Sequence, residues 1–163
     1  MFCCDGDRHC RQRLVDRLAA IFWLVNTQPT YRLHKLWLAI GWLLIALVVY
    51  LSLAPGWLPL DALTDDEAGH RLAYGISHVL AYATLMLWFL QLYPVSRRPM
   101  IAVCLIGLGI ALEGLQAFTP DRDPDYLDVL ANGAGVALGW LSGRTPLANS
   151  LETLERMLAR LTA

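Results

Sequence analysis

Residues 36–60 read LWLAIGWLLIALVVYLSLAPGWLPL, with no charged side chain among them. A helix needs roughly 20 mainly apolar residues to cross the hydrocarbon core of a bilayer. This run meets that requirement, and three more stretches resemble it. Between Leu72 and Ser96 the only charged or histidine residue is His78. Between Pro99 and Pro120 it is Glu113, and between Val129 and Gly143 there is none. The composition agrees: 56% of the 163 residues are hydrophobic and 17% are charged, against about 25% charged in a soluble domain.

Spans are expected at residues 36–54, 73–92, 100–118 and 126–143, the last being short and rich in glycine. Lipid offers no partner to a free backbone N–H or C=O, so such spans are helices. The alternation of period two that a membrane barrel requires is absent. The expected fold is therefore all-α and polytopic, with four transmembrane helices flanked by interfacial amphipathic helices at both ends. At the N-terminus, Leu14, Leu18, Ile21, Phe22 and Val25 share a helical face, with Arg13 and Arg17 beside it. At the C-terminus, Leu147, Leu151, Leu154, Leu158 and Leu161 recur at three- and four-residue steps. Asn149 and Glu152 have the spacing of a capping box. The chain divides into an N-terminal tail with its interfacial helix (1–35), a four-helix membrane domain (36–143) and a C-terminal amphipathic helix (144–163).

Lys and Arg set the expected orientation. Arg8, Arg11, Arg13, Arg17, Arg32 and Lys35 precede the first span, Arg97 and Arg98 join the second to the third, and Arg144, Arg156 and Arg160 follow the fourth. The other two connections carry only Arg71 and Arg122. Both termini are thus expected in the cytosol. Net charge is −1, so no nucleic-acid partner is expected. The first apolar run starts too late for a secretory signal peptide and lacks its small-residue cleavage site.

The polar exception to this pattern is ALEGLQAFTPDRDPDYLDVLANGAG, residues 111–135. With the orientation above, Glu113 and Gln116 lie near the outer end of span three, and Asp128 and Asn132 near the outer start of span four. His78 and Tyr82, four residues apart on one face of span two, reach a similar depth. Gly109 continues the Glu113 face and permits close approach. Ala131, Gly135, Gly139 and Gly143 form a small-residue stripe on span four that allows a neighbouring helix to pack tightly. Ionisable groups at bilayer depth cost roughly 2.5–3.5 kcal/mol each and by default mark function. The structural alternative is mutual hydrogen bonding, which in membranes averages only about 0.6 kcal/mol per bond.

His78-x3-Tyr82, Glu113-x2-Gln116, Pro120-x-Arg122 and Asp125-x2-Asp128-x3-Asn132-x2-Gly135-x3-Gly139 together resemble the pattern of VanZ-like membrane proteins. The resemblance covers spans two to four. It departs at Tyr74 and Gly75, where relatives commonly carry an Asp-Lys pair; Arg71 is the nearest cation. The resemblance implies a small multi-pass protein of the bacterial cytoplasmic membrane with a role in the cell envelope, in a family whose founding member is associated with teicoplanin resistance.

Three functions are open at this level. The first is an enzyme or binding protein for a lipid-linked envelope intermediate, with His78, Glu113 and Asp128 as candidate catalytic groups. Tyr82, Gln116, Arg122, Asp125 and Asn132 would then bind substrate. Arg122 would hold an anionic head group bidentately, Glu113 or His78 would exchange protons, and Asp128 would orient His78 or Arg122. The second is a non-catalytic assembly subunit, and the third a proton-coupled lipid or solute transporter, which would need a homodimer. Membrane lipids, a second copy or a partner membrane protein are the expected partners. No cofactor and no metal are expected. The N-terminal CCDGDRHC fits no standard zinc spacing. Asp121, Asp123 and Asp125 lack the glycine and glutamate of a calcium loop.

Overall fold

A computed structural model describes residues 31–53, 66–118 and 126–161. Five α-helices occur among them: α1 (His34–Leu53), α2 (Glu67–Leu92), α3 (Arg98–Gln116), α4 (Tyr126–Ser142) and α5 (Ser150–Leu161). Short 3-10 turns, Val95–Arg97 and Pro146–Asn149, precede α3 and α5. No strand occurs among the described residues. The helix expected around residues 14–25 lies outside them.

Local chemistry sets the helix ends. The Asp66 carboxylate accepts a hydrogen bond from the Gly69 N–H at 3.0 Å and caps α2, satisfying one of the donors a helix start leaves free. α2 ends where Pro94 forces Tyr93 into extended backbone, at φ −123° and ψ 151°. Pro99 then sits in the first turn of α3, where the missing N–H costs nothing.

α2 is the central helix and packs against α1, α3 and α4. α1 runs antiparallel to it: Trp88 Nε1 donates to the Trp37 carbonyl at 3.0 Å, while Val48, Leu51 and Ser52 face Tyr74 and His78. α4 runs parallel to α2, with Gly135 against Val79 and Tyr82 and Gly139 against Ala83 and Met86. Chain direction therefore gathers Lys35, Arg97, Arg98 and Arg144 at one end of the bundle, here the basic end. The end of α1, the start of α2, the end of α3 and the start of α4 share the other.

α1, α2 and α3 are each long and apolar enough to cross a membrane, with mean hydropathy of 2.4, 1.4 and 1.7 over an 18-residue stretch within His34–Leu53, Arg71–Leu92 and Val95–Gln116 respectively. α4 has 17 residues, about 26 Å of helix, slightly less than the roughly 30 Å hydrocarbon core. The sequence-based expectation of four full crossings is thus met in length by three helices. The core is Leu85, Met86, Phe89 and Leu90 of α2 with Trp37, Leu105 and Val136 around them. Trp42, Leu43, Leu80, Val103 and Leu130 point outward and are at least 62% exposed. Such an outer surface suits lipid and would be an aggregation hazard in water.

The contact between α2 and α4 is the closest in the bundle. A methyl added at Gly135 would lie 2.5 Å from the Val79 carbonyl oxygen and 2.9 Å from Tyr82 Cβ. At Gly139 it would lie 2.6 Å from both the Ala83 carbonyl oxygen and Met86 Cβ. Backbone meets backbone here, so a side chain has no room to turn aside.

The basic end is tied by two polar side chains. Glu155 of α5 accepts from the N–H groups of Arg32 (2.9 Å) and Leu33 (2.8 Å) and from Trp37 Nε1 (2.8 Å). Gln91 Oε1 accepts from the Leu151 N–H and from Ser150 Oγ, both at 3.0 Å. The first turn of α5 is therefore capped from α2, and Asn149, expected as its cap, instead accepts from Thr153 Oγ1 through its carbonyl. Tyr31 donates to the Gln91 carbonyl at 3.0 Å. Burial and the nearby Glu152 and Glu155 push its hydroxyl pKa up, which keeps it a donor.

Two predictions follow from these contacts. Gly135→Leu is expected to destabilise the folded chain by about 1–3 kcal/mol through overpacking, read as a lower thermal midpoint in detergent. Gly133→Ala, whose added methyl meets nothing within 4 Å, should be neutral or stabilising by up to about 1 kcal/mol. The second concerns Glu155. Burial pushes its pKa up, but the bonds from Leu33, Trp37 and Arg32, with the Arg32 charge, outweigh this and hold it below its ordinary value of 4.5. A depressed folded pKa contributes stability above the unfolded value that is lost as pH falls through the folded one. Glu155→Gln should therefore lower the thermal midpoint at pH 7, with the difference from wild type shrinking as pH drops below about 4.5.

Candidate functional site

Three helices bring their polar residues to one place at the end opposite the basic one. His78 and Tyr82 come from α2, Glu113 from α3, and Asp128 and Asn132 from α4. His78 Nδ1 lies 3.5 Å from Asp128 Oδ1, and both side chains are largely buried, at 14% and 17% exposure. One ligand-type atom from each of His78, Glu113 and Asp128 falls within 4.8 Å of the other two. The Glu113 side chain is buried. Asp128 lies in the first turn of α4, where the positive end of the helix dipole favours a carboxylate.

One turn further into the bundle, Tyr82 and Asn132 close the cluster. Both crowd Gly109 of α3: a Cβ there would lie 2.9 Å from Asn132 Nδ2 and 3.2 Å from Tyr82 Oη. Glycine at this position is what lets α3 approach the two side chains. Glu113 is an electrostatic neighbour of the Tyr82 hydroxyl. Tyr82 Oη and Asn132 Oδ1 have no hydrogen-bond partner among the described residues.

A pocket of about 140 Å³ opens beside His78, lined by Tyr74, Ser77, His78 and Tyr82 of α2 and by Val48, Leu51 and Ser52 of α1. The Tyr74 ring leans on the imidazole, with centroids 4.8 Å apart and planes at 53°. Ser77 Oγ is occupied by the Tyr74 carbonyl at 2.6 Å. In the sequence Tyr74 stands out only as a departure from the family pattern, and its i, i+4 spacing to His78 is the signal that places it beside the imidazole.

Gln116 is buried and donates from Nε2 to the Ser52 carbonyl at 2.6 Å. It thereby holds the last turn of α1, whose final carbonyls have no partner within the helix. Arg122 and Asp125 lie outside the described residues. A second pocket, of about 480 Å³, lies at the basic end between residues 31–33 and α5; it is lined by Glu152, Glu155 and Arg156 and is remote from the cluster.

The arrangement holds two carboxylates and one imidazole in a partly buried setting next to a small cavity. It can exchange protons, orient a polar group by hydrogen bonds, or coordinate a cation through one nitrogen and two carboxylates. No family model, curated protein or solved structure matches this chain.

Buried polar atoms without partners are a liability to the fold. Tyr82→Phe removes such an atom, so it is expected to raise stability by about 1 kcal/mol, or leave it unchanged, in a thermal melt of the purified protein. A large loss of stability would show that the hydroxyl holds the fold together.

Proposed function

We propose that this chain is a VanZ-like protein of the bacterial cytoplasmic membrane that binds or acts on a lipid-linked cell-envelope intermediate at the outer leaflet. The observation that carries this reading is the convergence of His78, Tyr82, Glu113, Asp128 and Asn132 from three helices beside a pocket at one end of the bundle. These are the positions on which the family resemblance rests. The segregation of Lys35, Arg97, Arg98 and Arg144 to the opposite end supports a cytosolic basic end and an outward polar end. α4 runs beside α2 and completes a bundle of four spans, with local thinning of the bilayer accommodating its short length. His78 and Glu113 exchange protons with the bound group, Asp128 orients His78, and Arg122 and Asp125 meet the head group. A link to teicoplanin resistance belongs to this reading.

A second reading has its own observation. Leu154, Met157, Leu158 and Leu161 of α5 are 40–84% exposed along a strongly amphipathic helix. That face suits the membrane interface, or a partner helix if the chain is an accessory subunit.

Glu113→Gln and His78→Ala, each produced at wild-type membrane abundance, separate the two. The envelope reading expects altered susceptibility to envelope-targeting drugs and altered pools of lipid-linked precursors. Unchanged values for both, with a phenotype on truncating α5, would favour the accessory subunit.

A further inference from the structure

We propose that His78, Glu113 and Asp128 form a binding site for a divalent first-row transition ion of the Zn²⁺ class. The inference concerns the cluster discussed above but stands on ligand geometry, so it and the envelope reading can fail separately. His78 Nδ1 and Asp128 Oδ1 are 3.5 Å apart. Two ligands about 2.1 Å from a tetrahedral ion are separated by roughly 3.4 Å, so one edge of the site already has the required length. The Glu113 carboxylate completes a triangle whose atoms all lie within 4.8 Å. Drawing it in takes a movement on the order of 1 Å, within reach of a glutamate side chain.

The donor set selects the kind of ion. An imidazole with carboxylates suits zinc, manganese, iron or cobalt, whereas magnesium and calcium take oxygen ligands alone. Charge supports the assignment. Two carboxylates balance the two charges of the ion, and the loaded site becomes nearly neutral where an uncompensated charge is costly. Each ligand comes from a different helix, so the ion would also pin α2, α3 and α4 together.

A second, independent observation points the same way. Tyr82 and Asn132 are 2% and 4% exposed, and their Oη and Oδ1 atoms have no hydrogen-bond partner among the described residues. They lie one turn from His78 and Asp128 respectively, and meet at Gly109, one turn from Glu113. A phenol hydroxyl so placed donates to a carboxylate ligand and orients it, while Asn132 Oδ1, an acceptor, takes a hydrogen bond from an ion-bound water. Three protein ligands leave coordination positions open for water or a phosphate oxygen, and a pocket opens beside one of them, His78.

The test uses the full-length protein in detergent, free of any affinity tag, with Cys3, Cys4 and Cys10 replaced by serine so that the N-terminal thiols cannot bind zinc. After chelator treatment, Zn²⁺ is titrated against a chromophoric competitor, and Co²⁺ is added to a parallel sample for its visible spectrum. The expected result is one ion per chain, with affinity reduced at least tenfold in His78→Ala, Glu113→Gln and Asp128→Asn and unchanged in Glu155→Gln at the far end. The Co²⁺ spectrum of the unaltered cluster, which needs none of the three variants to fold, should show nitrogen and oxygen ligation at low coordination number. Absence of stoichiometric binding, binding indifferent to the three substitutions, or a Co²⁺ spectrum of the fully hydrated ion would overturn the proposal.

Discussion

The close approach of α4 to α2 at Gly135 and Gly139 holds the bundle in register. Each glycine faces a carbonyl oxygen of α2 at a distance no Cβ could tolerate. Helix association in lipid has little hydrophobic drive and relies on packing, so this contact sets both the spacing and the register of the two helices. Register is what matters for the polar cluster. With Gly135 seated against Val79 and Tyr82, Asp128 falls beside His78. A slip by one residue would rotate the carboxylate away by about 100°.

Once that register is fixed, the third helix follows from a second close approach. Gly109 lets α3 come against Tyr82 and Asn132, and Glu113, one turn on, then reaches His78 and Asp128. The cluster thus costs the chain small residues on two helices and buried polar groups on three. In a bilayer those groups are expensive, and hydrogen bonds among them return little.

The opposite end is organised by different means. Glu155 and Gln91 gather backbone donors near the starts of α1 and α5 that helix geometry leaves free. Buried polar atoms without a partner among the described residues occur at both ends, His34 Nδ1 and Arg98 Nε at the basic one and Tyr82 Oη and Asn132 Oδ1 at the other. What sets the second end apart is the meeting of His78, Glu113 and Asp128 from three helices.

The helical class, the apolar runs of the spans, the shared face of His78 and Tyr82, and the small-residue stripe of α4 are all legible along the chain. These depend on local composition and on the 3.6-residue period, which a single chain displays directly. The grouping of polar residues at one depth was also legible, because helical rise and the charge asymmetry fix it. Which partners those residues take emerges from the packing of the helices. Gln116, placed with the cluster by its spacing from Glu113, donates across the bundle to the Ser52 carbonyl of α1. Glu155 finds its donors more than a hundred residues away. The triangle of His78, Glu113 and Asp128 joins three helices whose ligands have no common spacing in the chain. Such contacts arise from helix register and rotation, set by packing between surfaces that no local pattern encodes.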